Sequence, residues 1–247
     1  MPFDLLFLIT VKKFFNAFKR FFYGKYCPFC HKKVLFESLS SNKRKNVRCP
    51  ICNSLERHRF LYNIYKKDFL NSTKKLSILH TAPERCIARA IIKNKNIEYY
   101  PIDICPEIYK WINCKKEDVT CLTYKDNSFD CIISNHVMEH IVDDNLFLKE
   151  CLRVLKPNGI LYLTFPISTS LEKTVEDKNI KTDEERLKYY GQADHVRRYG
   201  RDIIDKLKFQ YNAKCIKPTE ILSNKEIKEM GIIQEELLFT IKKVENI

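Results

Sequence analysis

Two copies of the tetrapeptide Cys-Pro-x-Cys constrain the fold of this chain more than any other feature of its sequence. The first copy holds Cys27 and Cys30, and the second holds Cys49 and Cys52 after an 18-residue loop. Each copy presents two sulfurs from a tight turn, so together they supply the four thiolates of a tetrahedral structural zinc site. All four positions are then protein ligands, which leaves none for a catalytic water. We therefore predict a structural zinc site at these four cysteines. The neighbouring His31 could substitute for one of them, but the four cysteines already suffice.

The remaining seven of the eleven cysteines occur singly, as expected of free thiols that pack as small apolar side chains in a reducing compartment. The first apolar run has neither the basic segment nor the small-residue cleavage site of a secretory signal. These features predict a cytoplasmic protein, with peripheral contact at the inner face of the membrane left open.

The basic charge of the chain is concentrated in its first 75 residues. They hold 17 Lys and Arg against 4 Asp and Glu, which equals the whole net charge of +13, whereas residues 76–247 hold 27 of each. Residues 3–23 place phenylalanines at helical spacing opposite basic residues, which predicts an amphipathic helix within a segment 1–26. Such a helix suits a membrane interface, or packing on its own domain or on a partner subunit. Anionic lipid, nucleic acid or a phosphorylated substrate would match the charge, and so would a solvated surface.

From Lys75 onward, short apolar runs alternate with helical stretches, which is typical of βαβ units around a mostly parallel sheet. The predicted strands lie at 76–80, 98–102, 129–134, 159–165, 213–217 and 237–243. The predicted helices lie at 84–94, 137–140, 144–155 and 200–209, and another at 54–71 begins with Ser54 as its N-cap. We predict an α/β chain with a zinc ribbon at 27–56, a connecting helix at 57–75 and a main domain at 76–247.

The most informative motif lies at residues 118–166. It reads Asp-Val-Thr-x-Leu-x-Tyr-x-Asp-x-Ser-Phe-Asp, a strand, Asn-His-Val-Met-Glu-His-Ile, and Arg-Val-Leu-Lys-Pro-Asn-Gly before a last strand. It resembles the fourth- and fifth-strand region of class I S-adenosylmethionine-dependent methyltransferases, especially the group called type 11. The cysteine pairs, Ser-Leu-Glu-Arg-His-Arg, Ala-Pro-Glu and Asp-His-Val-Arg look like a subgroup with an N-terminal zinc module. The resemblance implies a Rossmann-like, mostly parallel seven-stranded sheet behind a small zinc ribbon.

The resemblance also implies S-adenosylmethionine as cofactor, bound beyond the carboxyl ends of the strands where the strand order reverses. Asp103, at the end of a predicted strand, would accept the ribose hydroxyls. Asp118 and Val119 match the position that meets the adenine. Asn135 and His136, just past the fourth strand, would border the methionine end and the methyl group.

The first strand-to-helix turn departs from the family pattern. Most such enzymes have glycine there, because only glycine lets the backbone approach the cofactor closely. This turn reads Thr81-Ala82-Pro83-Glu84 and contains no glycine. The subgroup has the same Ala-Pro-Glu, so all four residues stay in the predicted cofactor site, with Ala82 at the closest approach and Glu84 at the helix N-terminus.

The long polar connection at 167–199 is predicted to hold the substrate. Its end is dense in histidine, aspartate, arginine and tyrosine, which is more typical of a site than of packing. His195 is predicted to take a proton from an acceptor hydroxyl, with Asp194 or a neighbour orienting its ring and His136 as a further catalytic candidate. The alternative is a structural network that closes this connection. The predicted substrate-binding residues are Tyr190, Arg197 and Arg198.

Three other functions fit parts of the sequence. The residues from His136 to His140 spell His-x-x-Glu-His, the inverted zinc-protease motif, in which two histidines on one helix face bind zinc. A turn without glycine would suit a non-catalytic scaffold. The basic first third would suit an RNA methyltransferase, although no Asn-Pro-Pro-Tyr signature follows the fourth strand. By analogy with the subgroup, we favour O-methylation of a sugar, a surface-polysaccharide component or a phosphate-bearing metabolite.

Overall fold

The structure is a computed structural model that describes residue 19, residues 23–39 and residues 44–244. The predicted helix over residues 3–23 lies outside the described residues, apart from Lys19 and Tyr23. The strands are β1 (Lys25–Cys27), β2 (Lys32–Val34), β3 (Glu37–Leu39), β4 (Arg44–Arg48), β5 (Leu76–Thr81), β6 (Ile97–Asp103), β7 (Lys115–Lys116), β8 (Phe129–Asn135), β9 (Leu155–Thr164), β10 (Lys214–Ile216) and β11 (Leu238–Lys242). The α-helices are α1 (Glu56–Tyr65), α2 (Arg85–Ile92), α3 (Asp144–Val154), α4 (Asp183–Tyr190), α5 (Asp202–Tyr211), α6 (Pro218–Ile221) and α7 (Asn224–Met230).

The chain divides into two compact units. The first contains the described residues up to Asn71 together with Arg85–Ala90 and Lys217–Glu236. The second contains Ser72–Glu84, Ile91–Ile216 and the described residues from Leu237 onward. Helices α6 and α7 therefore belong to the first unit, although they follow most of the second in sequence. The domain boundaries drawn from the sequence stay a prediction.

In the first unit, antiparallel strands pair as β1 with β2 and as β3 with β4. The N-cap of α1 is Leu55, whose amide donates to His58 Nδ1 at 3.1 Å. Ser54 is fully buried, and its hydroxyl lies 3.4 Å from the sulfur of Cys27 and 3.2 Å from that of Cys52. The prediction that Ser54 caps the helix is therefore wrong, because the cysteine cluster takes its hydroxyl instead.

A single buried side chain connects distant segments of the first unit. The guanidinium of Arg59 is fully buried and donates to the carbonyls of Val47, Ser54, Met230 and Gly231. These acceptors lie at β4, before α1 and at the end of α7. The Ser-Leu-Glu-Arg-His-Arg motif therefore has a structural role at its last arginine, because unpaired buried carbonyls are costly.

The second unit is built on a seven-stranded sheet with the order β10-β11-β9-β8-β5-β6-β7. Neighbouring strands from β9 to β7 run parallel, whereas β11 is antiparallel to both β9 and β10. From β5 the chain builds outward to β6 and β7 and then returns to β8 on the other side. The strand order therefore reverses between β5 and β8, where open α/β sheets bind ligands. The predicted mostly parallel seven-stranded sheet is confirmed.

The central strands are buried nearly throughout, as parallel strands covered on both faces must be. Ile78, Leu79, Ile132 and Ile133 are 0% exposed, and Phe147 of α3 packs in one core with Leu79 and Ile132. This apolar frame fixes the strand ends and hence the polar residues that follow them. None of the helices in the described part of the chain combines the length and the apolar character needed to cross a membrane.

The structure differs from the predicted elements in several places. β9 begins at Leu155 and not at residue 159, because the chain runs through Lys-Pro-Asn-Gly as strand with Asn158 left-handed. α4 lies inside the predicted polar connection and begins with a Thr182–Glu185 capping box. The segment predicted as a helix at 137–140 forms only a 3-10 turn, at Met138–His140. β7, α6 and α7 were not predicted.

Candidate functional site

The turn after β5 contains a residue with left-handed backbone conformation that is not glycine. Ala82 has a φ of 48°, and its amide donates to the Ile102 carbonyl at 2.9 Å. This conformation costs a residue with a side chain about 1–2 kcal/mol. Alanine brings the smallest side chain that a chiral residue can have. The turn therefore keeps the backbone shape for which glycine is usually needed.

A chain of hydrogen bonds joins polar side chains near the carboxyl ends of β5 and β8. His80 is fully buried, with Nδ1 2.8 Å from the Tyr99 hydroxyl and Nε2 2.9 Å from the Glu84 carboxylate. The Asn135 side-chain amide donates to the same Glu84 oxygen at 3.3 Å, and its carbonyl accepts from the Thr164 hydroxyl at 3.1 Å. Because a carboxylate only accepts, His80 donates a hydrogen bond through Nε2. Its Nδ1 then accepts a hydrogen bond from the Tyr99 hydroxyl.

This chain of hydrogen bonds fixes two residues of the predicted cofactor site. Burial, together with the nearby Glu84 carboxylate, raises the pKa of Tyr99 well above its usual value, so the phenol keeps its proton. Glu84 stands at the N-terminus of α2 as expected, but its carboxylate binds His80 and Asn135. The sequence motifs did not indicate His80 or Tyr99 as residues of the cofactor site. The available signal was a histidine in an otherwise apolar strand.

The two predicted cofactor aspartates stand at neighbouring strand ends. Asp103 closes β6, and its carboxylate accepts from the Tyr109 hydroxyl and from the Cys105 amide, both at 2.8 Å. A carboxylate has about four lone-pair positions, so Asp103 can also accept ribose hydroxyls. Asp118 follows β7 and is exposed, and it accepts from the amide and hydroxyl of Thr120 at 2.8 and 2.7 Å.

A second polar group follows β8. His136 has a φ of 54°, which turns the chain sharply after the strand. The side-chain ligand atoms of Glu139, His140 and His195 lie within 4.8 Å of one another. The imidazole rings of His140 and His195 pack edge to face, with their ring centroids 4.8 Å apart. Only 1% of Glu139 and 4% of His195 are exposed to solvent.

The structure brings the predicted catalytic residues together but changes one pairing. Burial lowers the pKa of His195, and the Glu139 carboxylate opposes this effect. Asp194 is exposed, and its carboxylate and its carbonyl oxygen lie 3.4 and 3.0 Å from Nδ1 of His140. In the structure Asp194 contacts His140, and the prediction that Asp194 or a neighbour orients His195 stays a prediction.

The inverted zinc-protease geometry is not formed. That motif needs an α-helix that presents both histidines from one face. Here His136 is left-handed and only one 3-10 turn follows, so His136 and His140 do not share a helix face. His136 Nδ1 instead lies 3.3 Å from a Glu139 oxygen.

Arg197, a predicted substrate-binding residue, has its guanidinium bonded within the protein, and its substrate role stays a prediction. Its guanidinium is 2% exposed and forms two 3.0 Å bonds to the Glu176 carboxylate. The remaining N–H groups donate to the carbonyls of Met138, Ile141 and Val142. All five donors of an arginine are thereby used within the protein. Arg197 holds the turn that carries Glu139 and His140.

The other two predicted substrate residues have different surroundings. Tyr190 is buried, and its hydroxyl bonds the amide and carbonyl of Asp177 at 3.0 and 3.2 Å. That contact holds the Tyr190 hydroxyl within the protein, and the substrate role of Tyr190 stays a prediction. Arg198 is exposed and donates to the Ser168 hydroxyl at 3.1 Å, which leaves further donors for a ligand.

A cavity of about 670 Å³ lies among α3, α5 and the connection before α5. Its size falls in the range of small-molecule pockets. Its walls carry many charged groups of both signs. They include Asp143, Asp144, Glu176, Lys178, Lys181 and Lys206.

The four cysteines of the first unit form one cluster with the spacing of a metal site. Cys27 Sγ lies 3.5 Å from Cys52 Sγ, and Cys30 Sγ lies 3.9 Å from Cys49 Sγ. All four sulfurs are within 4.8 Å of one another. Tetrahedral zinc with 2.3 Å bonds places its sulfurs about 3.8 Å apart. His31 is exposed and bonds Tyr26, outside this cluster, so the four cysteines suffice.

Residues 85–163 match the family model described as a methyltransferase domain. The ubiquinone biosynthesis O-methyltransferase of Bradyrhizobium diazoefficiens is 37% identical over 51 residues, which is 19% of this chain and 20% of that protein. The human mitochondrial ubiquinone biosynthesis O-methyltransferase is 36% identical over 58 residues, covering 24% of this chain and 15% of that protein. This chain thus matches a fifth or less of the length of these curated relatives.

A solved structure shares the overall fold. A chain from the complex of the Haloferax volcanii Trm112 methyltransferase activator and a putative methyltransferase superposes with a TM-score of 0.52 and 14% identity. The superposition covers 76% of this chain and 91% of that one. Residues 85–163 are thus similar to a methyltransferase domain, and the second unit has the fold of that solved chain.

Proposed function

We propose that this protein transfers a methyl group from S-adenosylmethionine to a hydroxyl oxygen of a polar small molecule. The observation that carries the proposal is the crevice where the strand order reverses, with the left-handed turn after β5 on one side and Asp103 at the end of β6. The relatives matched over short segments are named as O-methyltransferases, which supports an oxygen acceptor.

The residues at the crevice fit the cofactor in their chemistry. When bound, S-adenosylmethionine supplies an electrophilic methyl group, and the electron pair of the broken C–S bond stays on sulfur. Asp103 would accept the ribose hydroxyls and Asp118 the adenine amino group, while Ala82 permits close approach at the turn. Asn135, held by Thr164 and Glu84, would border the methionine end.

An oxygen acceptor must lose its hydroxyl proton as the new O–C bond forms. His136, Glu139 and His140 follow β8 directly, and His195 contacts this turn. Because Asn135 at the end of β8 would border the methionine end of the cofactor, this group would lie near the methyl. We assign the activation of the acceptor to this group.

The charged cavity of the second unit supports a polar acceptor. Its walls carry lysines and carboxylates that would have to be desolvated by an apolar quinone-like molecule, which is costly. A sugar, a surface-polysaccharide component or a phosphate-bearing metabolite would satisfy them with hydrogen bonds and ion pairs. Arg198, exposed at the end of the connection, is available to a phosphate or carboxylate.

The cysteine cluster of the first unit supports a structural zinc. Its sulfur spacing matches a closed tetrahedral shell, which has no open position for a reactant. The zinc would stabilise the first unit without taking part in methyl transfer.

Calorimetric titration with S-adenosylmethionine and with S-adenosylhomocysteine tests the cofactor. We expect about one site per chain, and we expect Asp103→Ala to weaken binding about 10- to 100-fold, because it removes hydrogen bonds to a charged acceptor. Asp183→Ala, an exposed aspartate in the first turn of α4, is the matched control and should bind like the wild type. Absence of binding by the wild-type protein would favour a non-catalytic scaffold.

Transfer of labelled methyl groups tests the acceptor class. We expect label in glucose 1-phosphate or UDP-glucose rather than in catechol, and we expect Arg198→Ala to raise KM about tenfold for a phosphorylated acceptor. Arg201→Ala changes an exposed neighbouring arginine and should leave KM unchanged. Label in catechol alone would contradict the polar acceptor.

A further inference from the structure

We propose that Glu139, His140 and His195 form a second metal site, which binds a divalent first-row ion such as Zn²⁺. The three ligand atoms are already gathered within 4.8 Å of one another by two segments about 55 residues apart in sequence. Two imidazoles and one carboxylate are a known ligand set for zinc sites that keep a fourth position open. This site is distinct from the four-cysteine cluster of the first unit.

Glu139 is buried and has a carboxylate oxygen without a hydrogen bond to any described residue, which is the main support for this site. Its side chain is only 2% exposed, and one carboxylate oxygen, Oε2, makes no hydrogen bond within the described residues. The other oxygen lies 3.3 Å from His136 Nδ1, its one ion-pair partner in the described part of the chain. A buried carboxylate with an unsatisfied oxygen is costly unless a cation or a proton satisfies it. A metal ion at Oε2 would supply that missing partner.

The histidines are prepared for the same ion. His140 Nδ1 lies 3.0 Å from the Asp194 carbonyl oxygen, which can only accept, so the proton sits on Nδ1. Nε2 then carries the free lone pair that a metal needs. A ligating histidine usually donates its other N–H to a carbonyl or carboxylate in this way. His136 would support the Glu139 ligand from outside the site in a similar way, because its Nδ1 lies 3.3 Å from Glu139 Oε1.

The arrangement is held from outside by Arg197. Its guanidinium bonds the carbonyls of Met138, Ile141 and Val142, on both sides of Glu139 and His140. The amide of Val196, next to His195, donates to the Glu139 carbonyl at 3.0 Å. A tetrahedral ion with bonds near 2.1 Å needs ligand atoms about 3.4 Å apart, so the side chains would close slightly on binding.

The part that this ion would play rests on the proposed function. Its open position would take the acceptor hydroxyl oxygen and lower the pKa of that hydroxyl, so that the proton leaves to water before the oxygen attacks the methyl carbon. His195 would then be a ligand and not a free general base. The presence of the ion itself does not depend on methyl transfer and can be measured alone.

Cobalt titration of the metal-free full-length chain separates the two sites. Cobalt bound to thiolates gives an intense near-ultraviolet charge-transfer band, whereas cobalt bound to nitrogen and oxygen gives only weak visible bands. We expect two equivalents in the wild type, one with the thiolate band and one without. Glu139→Gln and His140→Ala should each lose only the second equivalent, and Glu98→Gln, an exposed glutamate, should keep both. Thermal unfolding of each variant checks that it is folded.

The outcomes distinguish this inference from the proposed function. One equivalent in the wild type, carrying the thiolate band, would overturn the second site, and S-adenosylmethionine binding by the same sample would leave the proposed function intact. Two equivalents without cofactor binding would support the second site and contradict methyl transfer. Two equivalents that survive in both variants would place the second ion elsewhere and overturn the ligand assignment.

Discussion

Replacing Cys49 with serine is expected to remove one zinc ion per chain and to unfold the first unit. Structural zinc in small modules supplies about 10–16 kcal/mol of apparent binding free energy. Whole domains are stable by only about 5–15 kcal/mol, so we expect the strands around the cysteines to unfold when the metal is lost. The small apolar cluster there, Val34 and Phe36 with Cys27 and Cys49, is too small to replace it.

Zinc release to a chromophoric chelator and amide hydrogen exchange of residues 44–65 measure this result. We expect the bound zinc to fall by one per chain and the exchange of β4 and α1 to approach the rate of an unfolded chain. Cys121→Ser is the matched control, because Cys121 is an exposed free thiol of the second unit. A Cys49→Ser protein that keeps its full zinc content and its protection would show that the cluster is not a metal site.

The parts of the fold that the sequence predicted are those in which local pattern and tertiary packing agree. Apolar runs such as the one around Ile132 form buried parallel strands, and the repeated Cys-Pro-x-Cys motif forms one cluster of sulfurs. Elements without an apolar period were missed. α4 is an example, because its residues are mostly charged or exposed and only its capping box marks it. The first unit also recruits α6 and α7 from beyond the main sheet, which linear boundaries do not reveal.

The sequence predicted which site residues follow the strand ends. It did not predict which partners their side chains contact. The positions of Asp103 and Asn135 follow from the strands that they close. The partners of Arg197 and Asp194 depend on how the connection before α5 folds over the turn after β8. Residue type suggested a ligand-binding arginine, but its burial and five internal bonds make it structural. Likewise, only the burial of Glu139 and the missing hydrogen bond of its Oε2 among the described residues indicate a metal ligand at this position.

Replacing Arg197 with methionine is expected to destabilise the second unit by roughly 3–5 kcal/mol, as breaking a buried ionic network does. Methionine keeps much of the apolar stem but leaves the carbonyls of Met138, Ile141 and Val142 without their donors. Glu176 loses its partner at little cost, because its side chain is 43% exposed. The turn bearing Glu139 and His140 should lose its fixed shape.

Chemical denaturation of Arg197→Met and Arg198→Met separates a structural arginine from a substrate-binding one. We expect Arg198→Met to keep wild-type stability, because Arg198 is exposed, and to change only acceptor affinity. Arg197→Met should lose stability and also the second cobalt equivalent, while the thiolate-bound equivalent persists. Normal stability with a raised KM in Arg197→Met would instead return that arginine to the substrate site. Because Arg197 bonds both flanks of the turn that carries two of the proposed ligands, loss of stability and loss of the second ion should occur together.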